Sequence, residues 1–117
     1  MPFVYIVLAA VMSLMLVASG LLKIRHDART TKIIHDVVGV PLKYFPLLAA
    51  CEFAGAAGLG VGIFWAPLGL ASAVGLAIYF VGAVIGHLRV GDFKGLGPAS
   101  FMLFLAAACF VLRLRGI

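Results

Sequence analysis

Glu52 is a carboxylate in the middle of an apolar stretch. From Tyr44 to Leu88, tyrosines and the cysteine apart, the only other ionisable side chain is His87. An acid in such surroundings normally faces a partner or a cavity. Three readings stay open. Unpartnered, Glu52 is driven to its neutral form by desolvation. Paired with Lys23 it is an ion. Hydrogen-bonded to His87 it forms a pair that orients a ligand or moves a proton. Asp92 lies five residues beyond His87 across a glycine, so the two either join this cluster or close a loop. Ser100 offers a hydroxyl nearby, and the Tyr79 phenol needs a polar partner or a lipophilic ligand. His26 and His35 read as solvated residues at an interface. Glu52, His87 and Asp92 are a weak ligand set, and no metal is expected. Cys51 and Cys109 occur without CxxC or metal spacing and read as small buried hydrophobes. No GxSxG, nucleotide-loop, dinucleotide or HExxH pattern occurs, so no catalytic residue is assigned.

The elements that position these residues follow from hydropathy. The 117-residue chain is 65% hydrophobic and 11% charged, with mean hydropathy +1.24. A soluble domain of this length cannot hide so much apolar surface. A span needs about 20 apolar residues, and residues 3–22, 44–64, 68–88 and 97–114 provide four such runs. Trp65-Ala66-Pro67 divides the second from the third. The first run has no basic residue before it and is longer than a signal peptide's apolar core, so it reads as a retained span. Between spans one and two, Asp27 is an N-cap and Gly39-Val40-Pro41 a stop. Ile33, Ile34, Val37 and Val38 share one face there, apart from Arg29, Lys32 and Asp36. Residues 28–38 therefore form a short amphipathic interfacial helix. The expected fold is all-α, a single-domain integral membrane four-helix bundle.

Loops one and three hold Lys23, Arg25, Arg29, Lys32, Lys43, Arg89 and Lys94, against only Arg113 and Arg115 on the other side. That asymmetry predicts cytoplasmic loops one and three and external termini. The formal charge of +5 suits anionic lipid headgroups, and nothing points to nucleic acid. Small residues mark expected helix contacts: Ala54, Gly58 and Gly62 in span two; Ser72, Gly75, Tyr79, Gly82 and Gly86 in span three; Ala9, Ser13, Leu16 and Gly20, leading to Lys23, in span one. The up-and-down topology carries Lys23, Glu52, His87, Asp92 and Ser100 to one end, where all five can approach one cavity under the amphipathic helix. Glu52 lies ~12 Å in, at about 1.5 Å per residue from Tyr44.

Several segments resemble the DoxX-like family of small membrane proteins. They are Ser19-Gly20-Leu21-Leu22-Lys23, Gly39-Val40-Pro41, Glu52-Phe53-Ala54-Gly55-Ala56-Ala57-Gly58-Leu59, His87-Leu88-Arg89-Val90-Gly91-Asp92 and Pro98-Ala99. Together they cover nearly the whole chain. The resemblance implies a four-helix membrane protein with its polar cluster at Lys23, Glu52, His87 and Asp92, but no single function. Members of the wider group serve in quinone-linked sulfur oxidation or beside oxidative-stress enzymes, and NACHO-type chaperones are a similar branch. Three functions follow as expectations: an accessory subunit of a membrane redox system binding a quinone or lipid; a non-enzymatic assembly factor docking other membrane helices; and a small proton-coupled carrier built on Glu52, least favoured because no internal repeat occurs. No covalently bound cofactor is expected. A homodimer in a bacterial inner membrane is the expected setting.

Overall fold

The break at Trp65-Ala66-Pro67 does what its residue types require. Helix α3 (Phe45–Val61) stops at Gly62, and α4 (Ala66–Arg89) begins with proline in its first turn. With α1 (Phe3–Ile24) and α5 (Phe93–Arg115) they make four helices long and apolar enough to cross a membrane. The computed structural model describes residues 2–117, without the side chain of Val37, and contains no strand among them. Helix α1 packs on α3, α3 on α4 and α4 on α5, and a lesser α5–α1 seam closes the ring. The bundle is 43 Å long, close to a bilayer with its headgroup layers. Its outer surface carries large apolar side chains such as Phe3, Ile78 and Phe104.

One end is tightly latched. The fully buried Tyr5 donates its hydroxyl to the Leu59 carbonyl at 2.7 Å, and its backbone N–H bonds the Ile117 carbonyl at 3.1 Å. Arg113 lies over the Tyr5 ring and donates Nε–H to the Gly62 carbonyl at 2.7 Å. Both chain ends and the α3–α4 hairpin therefore share this end.

The α3–α4 seam explains what happens toward the other end. Ideal Cβ atoms on its glycines would strike Gly69 Cα from Gly62, the Ser72 side chain from Gly58, and the Leu76 side chain from Gly55. One turn further, Glu52 meets Tyr79. The facing pairs thus grow from Gly·Gly through Gly·Ser and Gly·Leu to Glu·Tyr. Close backbone approach at the hairpin gives way to bulk at the polar end.

This seam corrects part of the expected packing. Ala54 is exposed and Gly55 takes its place, because a strict four-residue repeat drifts about 40° per step around a helix. In α4 the seam follows Gly69, Ser72, Leu76 and Tyr79. Gly75 and Gly82 lie off it, both exposed, with nothing within 4 Å of an added Cβ. Gly86 packs instead near Val38, outside the four spans. Gly58 and Gly62 are contact residues, as expected, and so is the α1 stripe, where Ala9, Leu16, Gly20 and Lys23 are buried.

At the polar end, α1 terminates in a turn whose left-handed residue is His26, φ 50°. The Asp27 and His26 N–H groups return to the Leu22 and Lys23 carbonyls, which satisfies the exposed helix end. The Asp27 carboxylate then caps α2 (Ala28–Thr31) by accepting from the Thr30 N–H at 3.2 Å. The helix continues as a π-helical turn over Lys32–Val37, seen in the Val38 N–H bond to the Ile33 carbonyl five residues back. Gly39, φ 92°, ends it, and His35 Nδ1 fastens the exit at 2.9 Å from the Val40 carbonyl. His35 is thus a structural tie rather than a free interfacial side chain. Helix α5 begins at Phe93, earlier than the expected Gly97, because the Asp92 carboxylate caps it through the Gly95 N–H at 3.2 Å. Pro98 consequently lies inside the helix.

Candidate functional site

Between the spans and beneath the α2 segment lies a cavity of about 840 Å³, within the usual size of small-molecule sites. Its walls are largely apolar: Met15 from α1, Leu48 from α3, Phe80 and Ala83 from α4, and Met102 from α5. Ile33, Ile34 and Val38 cover it, while Arg29, Lys32 and Asp36 face out. The amphipathic pattern therefore has a specific target. Its apolar face covers a cavity; the Val37 side chain lies outside the described residues.

The cavity's polar head is built by three helices. Glu52 is 1% and Lys23 6% exposed, and the Lys23 ammonium pairs with Glu52 Oε1. The same oxygen accepts from the Tyr79 hydroxyl at 2.7 Å. Lys23 also donates to Ser19 Oγ at 2.7 Å, one helical turn earlier. Each partner has a local reason to be there. Lys23 ends the small-residue stripe of α1, so its stem runs inward. Glu52 and Tyr79 occupy successive positions of the α3–α4 seam. Of the three readings open for Glu52, the structure has the ion pair with Lys23.

His87 and Asp92 form a second, separate pair. Gly91, φ 70°, turns the chain so that the Asp92 N–H reaches the His87 carbonyl at 2.9 Å. The same turn puts Asp92 Oδ2 2.9 Å from His87 Nδ1. A carboxylate acceptor there makes Nδ1 the protonated nitrogen and leaves Nε2 for other partners. Gly95 is required beneath the ring, because its added Cβ would strike His87. The Gly95 backbone N–H, and then the His87 ring, hold the Asp92 carboxyl below its ordinary value. His87 lines the cavity, so the two pairs share one space without bonding each other.

Of the residues singled out in the sequence, Lys23, Glu52, Tyr79 and His87 line the cavity, Asp92 holds His87, and Gly82 opens onto the same space. Ser100 does not join them. It is exposed on the outer side of α5, because Ala99 and Met102 take the inward positions. Ser19, Thr30 and the covering aliphatics were not singled out as site residues. Ser19 had a legible signal in its four-residue spacing to Lys23. Among the described residues, no three His, Cys, Asp or Glu side chains gather to hold a metal.

The fold and site define a multi-pass, four-helix membrane protein with a polar cluster heading an apolar cavity. The DoxX-like family matches residues 7–110, and the chain belongs to that family. No curated protein and no solved structure matches it.

Proposed function

We propose that the protein binds a lipophilic small molecule, a quinone-type compound or a lipid, as an accessory subunit of a membrane redox system. The supporting observation is the apolar cavity headed by the buried Lys23–Glu52–Tyr79 cluster. A tail fits its walls, and a polar head fits the cluster. Retaining a buried ion pair is weakly motivated by stability alone. In this reading the α2 side faces the cytoplasm of a bacterial cell.

Organic extraction of the purified protein followed by mass spectrometry tests the reading. Wild type should yield a stoichiometric lipophile. Gly82→Phe fills the cavity from a position with open space around it, and should fold while losing the compound. Extracts identical for the two proteins would refute the proposal. A second reading, a helix-docking assembly factor, rests on the outward small patch at Ala54 and Gly75. A stoichiometric protein partner, lost on Gly75→Leu, would support it instead.

A further inference from the structure

The loop between α4 and α5 uses only half of the His87 ring. Its turn is already closed by backbone, the Asp92 N–H donating to the His87 carbonyl at 2.9 Å, and Asp92 Oδ1 caps α5 at the Gly95 N–H. The ring adds one bond, from Nδ1 to Asp92 Oδ2 at 2.9 Å. An asparagine amide could supply that donor, so the second ring nitrogen, Nε2, is surplus to the loop. Among the described residues Nε2 has no protein partner, and it is not enclosed either. The buried side-chain polar atoms left without a partner there are Thr31 Oγ1 and Glu52 Oε2. Nε2 is therefore open to whatever stands beside the ring. His87 continues the inward stripe of Tyr79, Ala83 and Gly86 along α4, all of which line the cavity. Asp92 does not line it, so the carboxylate draws Nδ1 toward the loop and leaves Nε2 to the cavity.

Resting on the lipophile-binding reading, we infer that His87 Nε2 is the acceptor for a hydroxyl on the ligand's head, and that Asp92 is the positioning residue that sets the ring's tautomer. With the proton held on Nδ1, Nε2 carries a lone pair and can only accept. The site then selects neutral hydroxyl-headed lipophiles, such as phenols, hydroquinones and long-chain alcohols. An ether or ketone head offers only lone pairs, which would oppose that of Nε2. Of a quinone couple, the dihydroxy form is favoured over the diketone. Glu52 does not compete for the hydroxyl. Its Oε1 already accepts from Lys23 and Tyr79, and its Oε2 is enclosed. His87 stands eight residues along α4 from Tyr79, a rise of about 12 Å. The ring and the ion-pair cluster are thus separate polar stations of one cavity, with the apolar walls at Phe80 and Ala83 between them for the tail.

A pair of headgroups and two variants decide the matter. The protein is purified in dodecyldimethylamine oxide, a detergent without hydroxyls, and titrated with 4-dodecylphenol and 4-dodecylanisole. Binding is read by native mass spectrometry and corrected for each compound's partition into protein-free micelles. Wild type should bind the phenol about fivefold or more tightly than the anisole, the worth of one hydrogen bond. Equal binding of the two overturns the headgroup inference and leaves the lipophile reading standing. Binding of neither overturns both. His87→Asn keeps a donor for Asp92 and removes Nε2, so it should still bind both compounds while losing the preference. Asp92→Asn acts through the ring instead. Its amide oxygen stays on the Gly95 N–H, and its NH2 group turns to His87 Nδ1. Nδ1 must then accept, the ring proton moves to Nε2, and the preference should fall to within about twofold. A folded His87→Asn that keeps the wild-type preference overturns the assignment to His87, and a folded Asp92→Asn that keeps it overturns the role given to Asp92. Either variant suffices to test the ring, and the wild-type ratio tests the headgroup without them.

Discussion

Breaking the Lys23–Glu52 pair from either side should cost far more than removing both partners. Glu52 is 1% exposed, so Lys23→Met leaves a buried carboxylate whose only remaining hydrogen bond among the described residues comes from Tyr79. Lys23 is 6% exposed, and Glu52→Gln leaves its ammonium beside a neutral amide with Ser19 as the surviving partner. An orphaned buried charge costs about 3–5 kcal/mol, and each single variant should lose that much. The double variant removes both charges and retains an acceptor for Tyr79. It should return to within ~1–2 kcal/mol of wild type, since exchanging a whole buried pair for neutral groups is often close to neutral. The resulting coupling far exceeds the ~0.6 kcal/mol typical of hydrogen bonds between membrane helices. Equilibrium unfolding of the four proteins by sodium dodecyl sulfate in mixed micelles measures it. Single variants that each lose less than about 1 kcal/mol, the value of a solvated pair, would refute the reasoning.

Other outcomes follow from the same geometry. Gly62→Ala places a methyl against Gly69 Cα and 2.6 Å from the Tyr5 hydroxyl. It should destabilise by ~1–3 kcal/mol in the same assay, as overpacking does. Gly75→Ala meets open space and should be neutral or stabilise by up to about 1 kcal/mol through helix propensity. The Asp92 carboxyl is held low by the Gly95 N–H and the His87 ring, so its contribution is present above about pH 4. That contribution is lost as pH falls through the lower folded-state value. The thermal midpoint of wild type should therefore drop more steeply on acidification than that of Asp92→Asn. Cysteines placed at Arg29 and Lys94 should resist a membrane-impermeant thiol reagent in intact cells, and one at Gly116 should react.

The sequence displayed what depends on local residue type. Four apolar runs, the proline break, the Asp27 cap and the Gly39 stop are each written within a few residues, and the helices formed accordingly. The start of α5 was misplaced because Pro98 resembles a first-turn proline, whereas the Asp92 cap that recruits Phe93–Gly97 depends on a turn. The cluster's membership was largely visible, since an acid, a lysine and a histidine are conspicuous among apolar neighbours. Its pairing was not. Whether Glu52 meets Lys23 or His87 depends on the rotation of α3 against α1 and α4, and Gly55, not Ala54, fixes that rotation. Ser100 failed for the same reason, one residue away from the inward face. The cavity's place under the amphipathic helix follows from the topology, but its lining had no local signal, because it is the space left by several segments of chain.

The graded α3–α4 seam also acts as a lever. Its fulcrum is the contact of Gly62 with Gly69, where no side chain separates the backbones. Glu52 stands ten residues along α3 from that point, an arm of about 15 Å. A methyl added at the fulcrum would tilt one helix against the other and be felt as a larger displacement where Glu52 meets Tyr79. The shape of the cavity end is thus partly set at the opposite end of the bundle. Variation at Gly62 or Gly69 would reshape the cavity without touching any residue that lines it.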